Sequence, residues 1–323
     1  MSEAYQGDRR DNSSLDYWLA TEFIAEYDRQ YRILNRLGLL DILPKSGEAG
    51  IIGIDSKEYP IPTKEALEQE IKRNREAYKV KFAQGFTQIQ LTPFAIPLDN
   101  LINTLETSLK AHHKQGKLLG TKENPEAPDE PLELAADQLM SVWDEWRGSD
   151  KDGSCVYHPT SFDQTKHNGH TKAEILKAQA GLPLAGWNVL MVEPNKNIPR
   201  RNQGKTIGKR KQLETNKKPT EYLKLLQTDP QYQNEQGLTN EDWLIEFLIH
   251  LEENNQVIDD WKGKGSACYL TGSFKPSSRY LGIGYWNRGY GRANLNGSGH
   301  DYRYDHYGLR SAVGVGEKLV FES

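Results

Sequence analysis

The chain has little cysteine: two, Cys155 and Cys268, in 323 residues. That excludes the disulfide framework of a small secreted scaffold. It has no apolar run long enough to span a bilayer, so no membrane insertion is expected. Its first residues, MSEAYQGDRRDNSS, lack the apolar stretch of a secretory signal. Its net charge is only −4, which gives no global footprint for nucleic acid or an anionic membrane. It has no internal repeat. These absences point to a soluble protein folded in a reducing compartment, cytoplasmic by default. At 36% hydrophobic and 27% charged the chain is polar, yet its length leaves ample room for a core.

What is abundant is tyrosine, and it is unevenly placed. Of 16 Tyr, six (Tyr280, Tyr285, Tyr290, Tyr302, Tyr304 and Tyr307) fall in RYLGIGYWNRGYGRANLNGSGHDYRYDHY, residues 279–307. Gly, Asn, Ser, Arg and His fill most of the rest. Antibody paratopes use this palette because Tyr gives large, stiff, amphipathic contact area at small entropic cost, while Ser, Gly and Asn give adaptable hydrogen bonds. A core strand would carry Val, Ile and Leu, and a disordered tail would have few aromatics. The stretch reads as an exposed but ordered contact surface.

Upstream, Ser14 is placed to cap a helix to about Leu37 with Leu15, Trp18, Leu19, Phe23, Tyr27 and Tyr31 on one face. A charged helix follows from Pro62 or Thr63, then a strand over Phe86–Leu91, a helix opened by Pro97, a Pro-rich acidic connector (121–131) and a helix over Glu133–Trp146. Thr171 caps a short helix, and Gly186–Pro194 is the clearest buried strand. Residues 195–218 read as a polar, basic loop. Pro219 and Thr239 each start a helix, and beyond Trp261 the texture turns to short β segments, the last over Gly308–Val315. The fold class is α+β. A helix-rich region of unknown role spans 1–150 and a second domain spans 151–323, with a boundary near residue 150.

The second half resembles a C-type lectin fold. More narrowly, it resembles the variable proteins of diversity-generating retroelements, in the branch found in archaea and candidate-phylum bacteria. The resemblance is carried by GWNVLMVE, NIPRRNQGKTIGKRKQLETNKKPTEYL, GLTNEDWLIEFLIHLEENNQVIDDW, GSACYLTGSF, GYWNRGYGRANL and YGLRSAVGV, and upstream by LTPFAIPLDNLI and HHKQGKLLGTKENPEAPDEPLEL. It covers roughly residues 85–323. In that family a reverse transcriptase misreads template adenines, so Asn-type codons become Tyr, Asp, His, Ser, Gly, Ile or Arg at fixed surface positions. The resemblance implies selectable ligand binding without catalysis or cofactor. It implies a variable region of about 280–310, with Ile283, Tyr285, Asn287, Tyr290, Asn294, Asn296, Ser298, His300, Tyr302, Tyr304 and His306 as the binding positions. Trp286, Gly289, Arg292, Gly308, Leu309 and Arg310 match the invariant frame. Gly314 stands where Arg is expected.

Strand alternation agrees with this division. Ile283, Tyr285 and Asn287 share one face, expected to meet solvent, and Gly284 and Trp286 share the other. Gly289, Gly291, Gly297 and Gly299 are expected to serve turns. The expected ligand is a macromolecule, a protein in preference to nucleic acid.

Other constellations carry less. Cys155, His158, His167 and His170 have zinc-ligand chemistry but not the spacing of a common finger. Gly204-Lys205-Thr206 fails as a phosphate loop because Pro199 stands where a Gly is required. The basic run through 200–218 can contact phosphates, although a solvated loop is the plainer reading. His112 and His113 suit a helix C-terminus. Glu252, Glu253, Asp259 and Asp260 read as helix surface and turn residues, and Cys268 as a small core residue. The competing functions are an oxidase of the formylglycine-generating type, which shares the lectin-like fold but needs paired thiols for copper, and nucleic-acid binding through 200–218.

Overall fold

The computed structural model describes residues 14–120, 132, 139–261 and 265–317. It is an α+β structure built on two main sheets. The four-stranded sheet runs, in spatial order, Glu235–Gly237, Ser311–Val315, Asn188–Val192 and Gln88–Thr92, all antiparallel. The seven-stranded sheet runs Tyr307–Gly308, Ala267–Lys275, Tyr280–Asn287, Arg292–Gly299 and Met140–Val142. Asp260–Trp261 pairs beside Tyr280–Asn287, and Val156–Tyr157 beside Ala267–Lys275. The 15-residue helix Asn240–Asn254 packs on both sheets, with Trp243, Leu244, Phe247, Leu248 and Leu251 buried. Its start is held by a capping box between Thr239 and Asp242.

Most element starts follow their caps. Ser14 accepts a hydrogen bond from the Tyr17 N–H, and the first helix breaks at Glu22 into Leu15–Thr21 and Phe23–Arg36. Thr63, Pro97, Thr171 and Lys218 precede Lys64–Arg73, Leu98–Lys114, Lys172–Ala178 and Pro219–Thr228.

Three expectations fail. The helix over Glu133–Trp146 is not formed across its described part: Met140–Val142 is a strand and Asp144–Trp146 a single 3₁₀ turn, while 133–138 lie outside the described residues. Met140–Val142 pairs in parallel with Ala293–Leu295, and Trp146 is sealed against Trp143. Tertiary pairing overrides the helical spacing. Second, the closing β segment expected over Gly308–Val315 is two strands, not one. Tyr307–Gly308 belongs to the larger sheet and Ser311–Val315 to the smaller, so Leu309 and Arg310 carry the chain between them.

Third, the boundary near residue 150 is crossed by both sheets. Gln88–Thr92 pairs with Asn188–Val192, and Met140–Val142 pairs with Ala293–Leu295. One apolar core also runs from Leu15 to Val315. The N-terminal region has a visible structural task. Gln88–Thr92 is the edge of its sheet, and helix Phe23–Arg36 lies along it. Glu26 accepts from the Ile89 N–H at 2.9 Å, Gln30 accepts from the Leu91 N–H at 2.9 Å, and the Gln30 amide donates to the Ile89 carbonyl. Side chains thus satisfy an edge that would otherwise be open to other strands.

A candidate aromatic binding surface

The hairpin Tyr280–Asn287 and Arg292–Gly299 fixes the geometry of the Tyr-rich stretch. Its register pairs Ile283 with Asn296 and Tyr285 with Asn294, so these four side chains share one face. Gly284 and Trp286 share the other, as expected. Trp286 is sealed in the main core, and the Trp243 indole lies so close to Gly284 that an added Cβ would sit 2.2 Å from it. Glycine is required there for close approach. Gly291 has φ +56° and serves the turn. Gly297 and Gly299 are strand residues instead, where a Cβ would strike the Trp143 and Tyr302 rings.

The expectation that Ile283, Tyr285 and Asn287 meet solvent is corrected. Ile283 is 2% exposed, Tyr285 8% and Asn287 3%; across the hairpin Asn294 is 4% and Ser298 8%. The physical reason is a second, smaller core over this face, in which Tyr222, Leu226 and Tyr232 from the 219–232 segment close against Tyr269, Leu281, Ile283, Tyr285 and Leu309. Asn294 turns its amide to the Arg292 carbonyl at 3.0 Å. The remaining candidates are reachable. Tyr290 is 62% exposed, Tyr302 58% and Tyr304 47%. Asn296 and His306 are exposed and His300 is half-buried.

The two tiers are joined by rings. From buried Tyr222 the centroids step to Tyr269 (6.2 Å), Tyr307 (5.6 Å), Tyr304 (4.6 Å) and Tyr302 (6.3 Å). A branch runs from Tyr307 through Trp261 to Tyr285 at 6.4 and 5.5 Å. Edge and tilted contacts of this kind each add to simple burial. The exposed loop is also tied by its backbone and its charges. Tyr269 donates to the Tyr302 carbonyl at 3.1 Å, Thr215 to the Asp305 carbonyl at 2.8 Å, and the Ala267 N–H to the His306 carbonyl at 2.9 Å. Arg303 makes two bonds to the Glu221 carboxylate, at 2.8 and 2.9 Å. The stretch is therefore ordered where it is exposed.

The support beneath it includes residues that sequence reading misplaced. Asp259 and Asp260, read as turn residues, are buried. Asp260 holds Arg288 in the hairpin turn. Asp259 accepts from Arg310 at 2.8 Å and from the Trp243 indole at 2.9 Å, and its carbonyl accepts from the Trp286 N–H at 2.9 Å. Burial pushes the Asp259 carboxyl up to about 6 despite Arg310 beside it. Arg310, assigned to the frame, also reaches Glu246 at 2.7 Å, and Gly308 and Leu309 are buried with it. Gly289 is exposed, and Arg292 lies over the Tyr290 ring at 5.3 Å. No spacing rule marks such a pair of Asp residues, because their partners lie 28 and 51 positions away.

Elsewhere, Cys155, His158, His167 and His170 do not assemble: among the described residues no three His, Cys, Asp or Glu side chains form a group able to hold a metal ion. The basic run is only partly committed. Arg210, expected in a solvated loop, is 1% exposed and binds Glu235 and Glu193. Arg200 donates to the Gly265 carbonyl, and Lys211 pairs with Glu214. Glu252 and Glu253 pair with Arg36 and Arg29. A sealed triad went unnoticed in the sequence: Lys172 lies 2.9 Å from Asp150 and 2.8 Å from Glu241, all three fully buried. Burial pushes the Lys172 ammonium down, but the two carboxylates outweigh it and hold the pKa above the usual lysine value. Among the described residues no helix is long and apolar enough to cross a membrane.

No family model, no curated protein and no solved structure matches this chain.

Proposed function

We propose that the protein is a ligand-binding protein of the diversity-generating-retroelement type, on a C-type lectin-like scaffold, and that it is not an enzyme. One observation carries this reading. Among the described residues, the large aromatics more than about a third exposed are Tyr280, Tyr290, Tyr302 and Tyr304, all in one stretch of 25 residues. Isolated exposed apolar side chains are ordinary, but exposed aromatics concentrated in one stretch, with the Tyr302 and Tyr304 rings 6.3 Å apart, argue for an interaction site. The element order supports the scaffold: strand Asn188–Val192, helices Pro219–Thr228 and Asn240–Asn254, then short strands ending in Ser311–Val315, which returns to pair with Asn188–Val192. The contact tier is Tyr290, Asn296, His300, Tyr302, Tyr304 and His306. Ile283, Tyr285, Asn287, Asn294 and Ser298 form the floor that shapes it. The partner is a macromolecule, a protein in preference to nucleic acid, since the exposed surface is aromatic and the chain carries a net charge of −4.

The test is genetic. Beside a reverse-transcriptase gene, a near-copy of the codons for 280–310 should differ from this gene only where the copy has adenine. Differences spread over all bases, or no such copy, would remove the reading. The oxidase alternative gains no support. Cys155 and Cys268 are both buried as free thiols, and Cys155 adjoins the Val156–Phe274 pairing, six residues along the strand from Cys268. At roughly 3.3 Å per strand residue they are about 20 Å apart.

A further inference from the structure

The sealed triad of Lys172, Asp150 and Glu241 lies apart from the aromatic surface, and its members are placed as reactants. Lys172 Nζ is 2.9 Å from Asp150 Oδ2 and 2.8 Å from Glu241 Oε1, with all three side chains 0% exposed. The walls are aromatic: Nζ sits 5.0 Å from the centre of the Phe94 ring and 5.8 Å from that of Tyr157, both fully buried. Asp150 Oδ2 also accepts from the Leu98 N–H at 2.8 Å, and Glu241 Oε1 from the Tyr157 hydroxyl at 2.6 Å. Among the described residues, Asp150 Oδ1 and Glu241 Oε2 are buried with no hydrogen-bond partner. Two orphaned carboxylate oxygens are a costly way to neutralise one lysine.

An amine held against a carboxyl group in a sealed interior can condense with it. Fixed contact replaces the entropy of a bimolecular encounter, and exclusion of water protects the product from hydrolysis. We propose that Lys172 and Asp150 join in an intramolecular isopeptide bond, with Glu241 as the proton relay. The ion pair is the resting form. Moving one proton from Lys172 to Asp150 leaves the net charge of the triad unchanged and gives an amine and a carboxylic acid. The Nζ lone pair attacks Asp150 Cγ and the C–N bond forms, while the Leu98 N–H holds Oδ2 as charge builds on it. Glu241 takes a second proton from Nζ and passes it to the departing Oδ1. The C–O bond breaks, its electron pair leaves with the oxygen, and one water is released. Nζ has then lost two protons, both carried off in that water, and Glu241 is again a carboxylate. The remaining N–H keeps the Ile96 carbonyl, now 3.0 Å away, as its acceptor. Asp150 is the acylating partner because a backbone N–H fixes its carbonyl oxygen, whereas the Tyr157 hydroxyl favours Glu241 in its charged form. Ligation expels the orphaned Oδ1, replaces a buried ion pair by a neutral amide and closes residues 150–172 into a ring. It does not depend on the function assigned to the aromatic surface.

The experiment is intact-mass spectrometry of the full chain, incubated folded and then denatured. The chain should be lighter than its sequence by one water, and proteolysis after denaturation should release a branched peptide joining Lys172 to Asp150. Lys172→Arg and Asp150→Ala should each keep the full sequence mass. Because either could fail by unfolding, the deciding variant is Glu241→Gln, which keeps the shape of the side chain but cannot relay the proton. With its fold verified by circular dichroism, it should form the bond at least tenfold more slowly than the parent after refolding from denaturant. The proposal is overturned if the folded parent keeps its full mass, if the lost water maps to any other pair of residues, or if folded Glu241→Gln ligates at the parent rate.

Discussion

Tyr285 and Tyr290 lie five residues apart in the same hairpin, and truncating each separates the floor of the surface from its contact tier. Tyr285 is 8% exposed, edge-on to Trp261 at 5.5 Å, and bonded to Asn296. Truncating a buried aromatic to Ala costs about 3–5 kcal/mol through lost transfer energy and the void left behind. Tyr290 is 62% exposed and touches the Arg292 guanidinium. Its truncation should cost no more than about 1 kcal/mol, mostly the exposed cation–π contact. At about 2.1 cal/mol/K per residue, unfolding a chain of this length has an entropy near 0.7 kcal/mol/K. Tyr285→Ala should therefore lower Tm by about 6 °C and Tyr290→Ala by about 1 °C in scanning calorimetry. Equal shifts would refute the two-tier reading, as would a Tyr285→Ala cost under 1 kcal/mol. If the tiers hold, replacement at 283, 285, 287, 294 and 298 is limited by volume and polarity, while 290, 296, 302, 304 and 306 are free to vary.

Further outcomes follow from the same structure. Burial raises the Glu26 carboxyl from 4.5 to about 7, so its stabilising protonation is complete below pH 4.5 and lost as pH rises through 7. At about 1.4 kcal/mol per pH unit, Glu26→Gln should add up to about 3 kcal/mol at pH 8 and almost nothing at pH 4.5, read by urea unfolding at both; a gain independent of pH would contradict this. Lys172→Met strands two sealed carboxylates and should cost about 3–5 kcal/mol on that account, with Asp150→Asn and Glu241→Gln added together recovering that part in the same assay. Gly284→Ala forces a Cβ into the Trp243 indole and should cost more than about 2 kcal/mol, with a changed near-ultraviolet tryptophan signal; an unchanged signal and Tm would mean that the sheet and helix do not approach as described. Truncating Tyr290, Tyr302 and Tyr304 together should leave folding intact and abolish capture of a ligand selected by screening against this chain, measured by surface plasmon resonance.

Much of the local structure was legible. Ser14, Thr63, Thr171 and Thr239 began helices because their side chains accept the free N–H groups of a first turn. The two-residue period of the hairpin correctly divided Gly284 and Trp286 from Ile283 and Tyr285. Glu133–Trp146 was misread because its spacing suits a helix, while the strand at 140–142 exists only through a partner 153 positions away. The place of 1–150 was hidden for the same reason: Glu26 and Gln30 look like ordinary helix-surface residues until a sheet edge lies against them.

The sequence by itself determined the palette of the surface, its position in the chain and its alternation, since these depend on composition and on the geometry of one strand. Only the tertiary structure decided which of those side chains meet solvent. Whether a strand face is open or covered depends on another segment folding over it, and here Tyr222, Leu226 and Tyr232 do so from more than 50 residues away. Periodicity encodes which side chains share a face, but not what lies above it.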